Sequence, residues 1–208
     1  METTTTITDP RPQFTAAAQT LRSVVAGIDP SQFERPTPCT DMNARELIDH
    51  IGMAVGRVTA AGRRQPLEEW PTEGFSVGDD VAAAMDALIE NATTAWGDDR
   101  LAESVTLPWT TLAGAQALAV YVNEVLVHSW DLARATDQDT SFDDDAIAVA
   151  EAIIHQELPD PVRGPMWDAF KAEMPEGIPF DPPFADAVDV ADDAPPTVRL
   201  AAWNGCQP

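Results

Sequence analysis

The segment from Asn123 to Ala135, NEVLVHSWDLARA, places a glutamate and a histidine four residues apart inside an otherwise apolar, helix-forming run. Residues i and i+4 share one face of an α-helix, with Cβ atoms roughly 6 Å apart, so Glu124 and His128 point the same way. Such a pair is either a solvated polar contact or part of a ligand set. The chain holds only three histidines, His50, His128 and His155. His50 lies mid-helix in ELIDHIGMAV, where it reads either as a hydrogen-bonded core residue or as a ligand. Together, two imidazoles and one carboxylate suffice to bind a divalent transition metal, with positions left open for water or substrate.

Tyr121, Glu124, His128 and Asp131 form one stripe, while Leu118, Val122, Val125 and Leu126 supply apolar surface on the adjoining faces. A helix so apolar around its polar stripe is expected to be central, with the stripe turned inward. An unpaired glutamate there would be costly, and a metal is one way to satisfy it. His155, in AIIHQEL, lies near a helix end, where the dipole favours an imidazolium; a capping or surface role is expected, and it is the reserve ligand. Arg57 falls two turns beyond His50 on nearly the same face. It reads either as an attractor for a ligand carboxylate or as an exposed arginine paired to one of many acids. Tyr121 borders the same cavity or simply packs. No GxSxG, P-loop, GxGxxG or HExxH pattern occurs, so the corresponding nucleophile, nucleotide and zinc-protease readings have no support.

The elements that must position these residues follow from periodicity. Phe14, Ala18, Leu21, Val25 and Ile28 have the spacing of an amphipathic helix ended by Asp29 and Pro30. Asn43 followed by Glu46 is a capping-box pattern and predicts a long helix over 44–61. Asp79 or Asp80 opens a third helix that Gly97 can close. ESVTLPWTTLAG alternates Val105, Leu107 and Trp109 but is short enough for only a loop or small hairpin. A fourth helix is expected over about 113–135, and a fifth, DDAIAVAEAIIHQEL, ends before Pro159. Beyond it the Pro- and Asp-rich stretch predicts an extended segment draped on the bundle, anchored by Phe180, Phe184 and Val188, then a short terminal TVRLAAW. The expected organisation is a disordered start (1–10), a helical bundle (11–160) and a C-terminal segment (161–208). The fold class is all-α.

A net charge of −23 with a single lysine, Lys171, argues against nucleic acid and anionic membranes as partners. No apolar run reaches the roughly 18 residues that would span a bilayer. METTTTITDPRPQF has neither a basic nor an apolar leader region, so a cytoplasmic location is expected. Cys39 and Cys206 are expected as free thiols rather than a bridge.

Residues 37–52, TPCTDMNARELIDHIG, together with residues 121–136, YVNEVLVHSWDLARAT, resemble the metal-binding domain of the mycothiol-dependent maleylpyruvate isomerase family, within the wider DinB-like superfamily. The resemblance covers most of the chain up to Thr136. It implies a four-helix bundle, here with an additional helix and an irregular C-terminal segment. It also implies a metal, zinc foremost, on His50, Glu124 and His128. Trp130, Asp131 and Arg134 match the tail of the family motif and are expected to brace the helix or orient a ligand. The implied activity is that of an isomerase or S-transferase: the metal activates mycothiol or another low-molecular-weight thiol for attack on a small electrophile. The alternatives are a non-catalytic metal-binding or interaction bundle and a thiol-independent metal hydrolase. Met42 stands where many relatives carry tryptophan, the ending AAWNGCQP differs from the usual one, and the chain is short for the isomerase's separate C-terminal domain. A homodimer is compatible with the residues but not read from them.

Overall fold

Asn43 begins the helix that carries His50. Its side chain accepts from the Glu46 amide at 2.9 Å, and Glu46 Oε2 accepts from the Asn43 amide at 2.9 Å, so two otherwise orphaned donors of α2 (Ala44–Gly62) are satisfied reciprocally. This computed structural model describes residues 7, 9–38, 41–67, 70, 71, 74–107, 110–174, 180 and 182–208. Upstream lies α1 (Arg11–Ala26), which starts just after Pro10 and buries Phe14, Ala18, Leu21 and Val25, four of the five positions read from the spacing as its apolar stripe. Most of the N-terminus expected to be disordered lies outside the described residues.

The Asp80 side chain caps α3 (Val81–Thr94) by accepting from the Ala83 amide. This helix stops short of Gly97 because Trp96 turns inward and donates its indole N–H to the Val58 carbonyl on α2 at 3.1 Å. A single short helix, α4 (Asp98–Ala102), and an antiparallel hairpin of β1 (Ser104–Thr106) and β2 (Thr111–Ala113) then lead into α5 (Gly114–Ala135). Val105 and Leu107 are buried, as their alternation requires; Trp109 lies outside the described residues. Asp143 caps α6 (Asp144–Glu157), which ends before Pro159.

The bundle is built around α5. It packs on α1, α2 and α6, while α3 closes the far side against α1 and α2. Sixteen of its 22 residues are buried, and at about 25 cal/mol per Å² of apolar area removed from water such burial is the main stabilising term. Its half-exposed positions are mostly the i, i+4 series Gln116, Val120, Glu124 and His128, a single stripe open to solvent beside α2.

The C-terminal stretch is more ordered than its composition suggests. Two further helices occur, α7 (Gly164–Glu173) and α8 (Pro196–Trp203). The buried Arg163 guanidinium donates to the carbonyls of Ala185 and Trp203, and its backbone N–H donates to Asp186 at 2.7 Å. Of the expected anchors, Phe184 packs on the core, the Val188 amide bonds the Ala202 carbonyl, and Phe180 joins Trp167 and Phe170 in an aromatic cluster. Cys206 is buried and disulfide-bonded, which corrects the free-thiol expectation; Cys39 lies outside the described residues.

Asn123 on α5 and Asn204 just after α8 bond each other reciprocally through their amides at 2.9 and 3.0 Å, both buried. Removing one side leaves a desolvated amide without its partner. Asn123→Ala or Asn204→Ala alone is expected to lose about 1–3 kcal/mol in urea unfolding. The double variant should lose less than the sum, with a coupling of at least about 0.5 kcal/mol; strict additivity would show that the amide pair does not join the segment to the bundle.

Candidate metal centre

His50 comes from the second turn of α2, and Glu124 and His128 from successive turns of α5. His50 Nε2 lies 3.3 Å from Glu124 Oε1, and His128 Nε2 lies 3.4 Å from the same oxygen. The two imidazoles meet edge to face, with ring centroids 5.0 Å apart. One donor atom from each residue falls within 4.8 Å of the others, and among the described residues this is the one His/Cys/Asp/Glu group with that property. Three donors from two helices that pack directly on one another fit a divalent transition metal by type and by convergence.

Behind the cluster, Asp131 is fully buried and places Oδ2 3.2 Å from His128 Nδ1. A carboxylate on the outer nitrogen fixes the ring orientation and leaves Nε2 facing Glu124 and His50. The side chains of His50, Glu124 and His128 are 29%, 26% and 13% exposed, so the cluster is recessed and yet reachable from solvent.

The electrostatics follow from this placement. Burial favours the neutral carboxyl of Glu124, but the imidazoles of His128 and His50 outweigh it and hold the group well below the usual carboxylate range. Burial likewise disfavours a charged His128, yet Glu124 and Asp131 override it and push the imidazole up to about 10. The pocket therefore concentrates negative charge around the point where the Nε2 atoms converge, and it attracts a proton or a metal cation there.

The remaining sequence candidates divide. The buried Tyr121 sits one turn before Glu124, and Arg57 reaches it from α2. Arg57 is half-buried and forms no ion pair among the described residues; Glu68, Glu69 and Glu73 of the adjoining loop lie outside them. Arg134 is exposed and lies over the Trp130 ring at 5.8 Å, away from the cluster. His155 is outside the site: it is exposed, as a surface role requires, and stacks on Trp203 at 3.9 Å, where partial desolvation and the nearby Arg163 lower its pKa rather than the dipole raising it. Sequence reasoning missed Trp70, whose indole donates to the Met53 carbonyl and whose ring lies on α2 at Gly56, where any Cβ would collide with it. The Gly52–Gly56 spacing was the available signal. It also missed Asp49, which accepts from the Val77 amide at 2.8 Å and pins the 76–78 strip beside His50.

The chain resembles two uncharacterised proteins of Mycobacterium tuberculosis, from strains CDC 1551 / Oshkosh and ATCC 25618 / H37Rv. Each is 26% identical over 204 residues, covering 95% of this chain and 97% of the relative. No solved structure matches it significantly. The model of the mycothiol maleylpyruvate isomerase N-terminal domain matches residues 14–133, a span that runs from the first core phenylalanine of α1 past His50, Glu124, His128 and Asp131. More than half of the chain is thus covered, and the protein belongs to the mycothiol maleylpyruvate isomerase N-terminal domain family.

Proposed function

We propose that His50, Glu124 and His128 hold a divalent transition metal, zinc foremost, and that the protein uses this centre to activate a low-molecular-weight thiol such as mycothiol for attack on a small electrophile. The observation that supports this most directly is the convergence of three donor atoms within 4.8 Å on a recessed but open face of the bundle. When bound, such an ion supplies the Lewis acidity that lets a thiol lose its proton near neutral pH.

The chain's own residues have distinct parts in this reading. Glu124 supplies the negative charge that balances a divalent cation, His50 and His128 supply neutral nitrogen donors, and Asp131 holds His128 in the required tautomer. Sulfur then forms a bond to an electrophilic carbon of the substrate. In an isomerase the adduct of a cis double bond rotates and releases the thiol; in a transferase the adduct is the product. Neither route asks the protein for a nucleophile. The cytoplasm, where such thiols stay reduced, is the proposed setting. Among the described residues no helix is long and apolar enough to cross a membrane.

Elemental analysis of untagged protein is expected to find about one transition metal per chain in the wild type and none in Glu124→Ala or His128→Ala, with helical circular dichroism retained. Wild type that neither retains nor takes up metal at near-unit stoichiometry would overturn the reading. Metal-loaded protein should convert an electrophile only with added thiol: turnover without thiol would indicate a hydrolase, and metal without any thiol effect a non-catalytic bundle.

Asp131→Asn is expected to keep the binding stoichiometry at saturating metal but to weaken affinity by about 10- to 100-fold in a chelator competition, the usual range for losing an outer partner of a ligating histidine. Unchanged affinity would remove Asp131 from the centre.

A further inference from the structure

The chain has two cysteines, and Cys206 is disulfide-bonded, so its bond is to Cys39, which lies outside the described residues. Such a bond is uncommon where low-molecular-weight thiols stay reduced, and the disulfides found there are mostly transient, catalytic or redox-sensing. Beside the cytoplasmic thiol chemistry proposed above, it needs a reason, and what its two ends are attached to supplies one.

Cys206 is 2% exposed, packs in the core and donates its backbone N–H to the Ala201 carbonyl at 3.0 Å. Two residues before it, Asn204 bonds Asn123, the neighbour of Glu124 on α5. The sequence places Cys39 between Thr37 and Met42, and these two are joined: the Thr37 N–H and hydroxyl both donate to the Met42 carbonyl, at 3.2 and 2.8 Å. Asn43 follows at once and caps α2, the helix of His50. The bond therefore links a segment held on the helix of Glu124 and His128 to the approach to the helix of His50, and a cross-link between residues so remote in sequence removes much conformational freedom.

We propose that the Cys39–Cys206 disulfide is a redox-sensitive latch on the metal centre. Oxidised, it fastens the C-terminal segment on α5 to the approach to α2 and keeps the three donors together; reduced by a low-molecular-weight thiol, it frees the segment and loosens the site. This rests on the metal–thiol reading above and gives that site a regulator from its own cosubstrate class. A thiolate attacks one sulfur of the bond and forms a mixed disulfide, while the other cysteine leaves as thiolate and takes up a proton. A second thiolate attacks the small molecule's sulfur in the mixed disulfide, so two small thiols leave as one disulfide and both cysteines end reduced. Because Cys206 is buried, the exchange follows a local opening of the last residues; Gln207 and Pro208 beyond it are exposed, and such opening costs less than unfolding the bundle.

The test has two arms, both on the full-length protein. Metal-free wild type is equilibrated with cysteine and cystine at graded ratios, quenched in acid, alkylated with N-ethylmaleimide and measured by intact mass. The expected result is a gain of two alkyl groups as the thiol fraction rises, with helical circular dichroism retained and the C-terminal segment cleaved by thermolysin faster than in the oxidised protein. A bond that opens only in denaturant, or opens with no change in cleavage, would overturn the latch. In the second arm a chelator competition for zinc compares oxidised wild type, wild type reduced by a phosphine, and the double variant Cys39→Ser/Cys206→Ser, which has no thiol of its own to bind metal. With the competent arrangement populated at about one part in ten after release, zinc affinity falls about tenfold in both unlatched forms. Equal affinities in all three would overturn the coupling to the metal centre and leave the metal–thiol reading standing. If oxidised wild type binds no zinc, that reading and the coupling fall together, and the first arm still decides whether the bond is redox-sensitive.

Discussion

A carboxylate held between two imidazoles inside a helical bundle is the interaction on which the arrangement turns. Glu124 Oε1 has His50 Nε2 on one side and His128 Nε2 on the other, both near 3.3 Å. A half-buried charge of this kind is tolerated only if a partner neutralises it, because desolvation costs more than a loosely placed counter-charge returns. The partner here is a pair of groups from two different helices, so the charge also fixes how α2 and α5 sit against each other. Asp131 adds a second buried carboxylate behind His128, which an ordinary core would avoid. The cluster is over-supplied with negative charge, a sensible composition for a cation site and a poor one for a stability device.

The rest of the fold serves to hold α5 still. Its apolar faces are covered by α1, α2 and α6, and its N-terminal end is flanked by α4 and the hairpin. Arg100, buried beside the Trp96 ring, donates to the carbonyl of Ala61 at the end of α2 and to that of Ser104 in β1, so one side chain ties the α2 terminus to the hairpin that launches α5. At the other flank Asn204 reaches Asn123, the residue next to Glu124. Placing catalytic or binding groups on packed helices rather than loops restricts their positional freedom, and here each end of the functional stripe has such a brace.

The helices and the donor triad were legible because each had a local signal: the Asn43–Glu46 capping box, the alternation at Val105 and Leu107, and the four-residue spacing of Glu124 and His128. What stayed illegible lacked one. The helix α7 fully buries none of its residues; its apolar positions Met166, Trp167 and Phe170 span only one turn, and its proline near the start reads equally as a breaker. The latch made by Arg163 depends on carbonyls more than 20 residues away, which no window of sequence contains. Cys206 was misread because pairing is a matter of spatial approach, not of composition. Arg57 was visible as lying on the face of His50, but that it forms no ion pair among the described residues depends on three-dimensional approach, which no window of sequence contains.

The distribution of charge bears on the cluster as much as its packing does. A net charge of −23 draws cations toward every surface and repels anions. For a metal centre this is helpful, since Glu124 and Asp131 deepen locally a field the whole protein already provides. For an anionic ligand it is an obstacle, and long-range steering cannot overcome it; only a short-range, partly desolvated cation can, because at a few ångströms and low dielectric its attraction exceeds the screened repulsion of distant carboxylates. Most of the other arginines spend their charge on neighbouring acids at the surface, where such pairs contribute little. Arg57 is half-buried on α2, on the helix that carries His50, and forms no ion pair among the described residues.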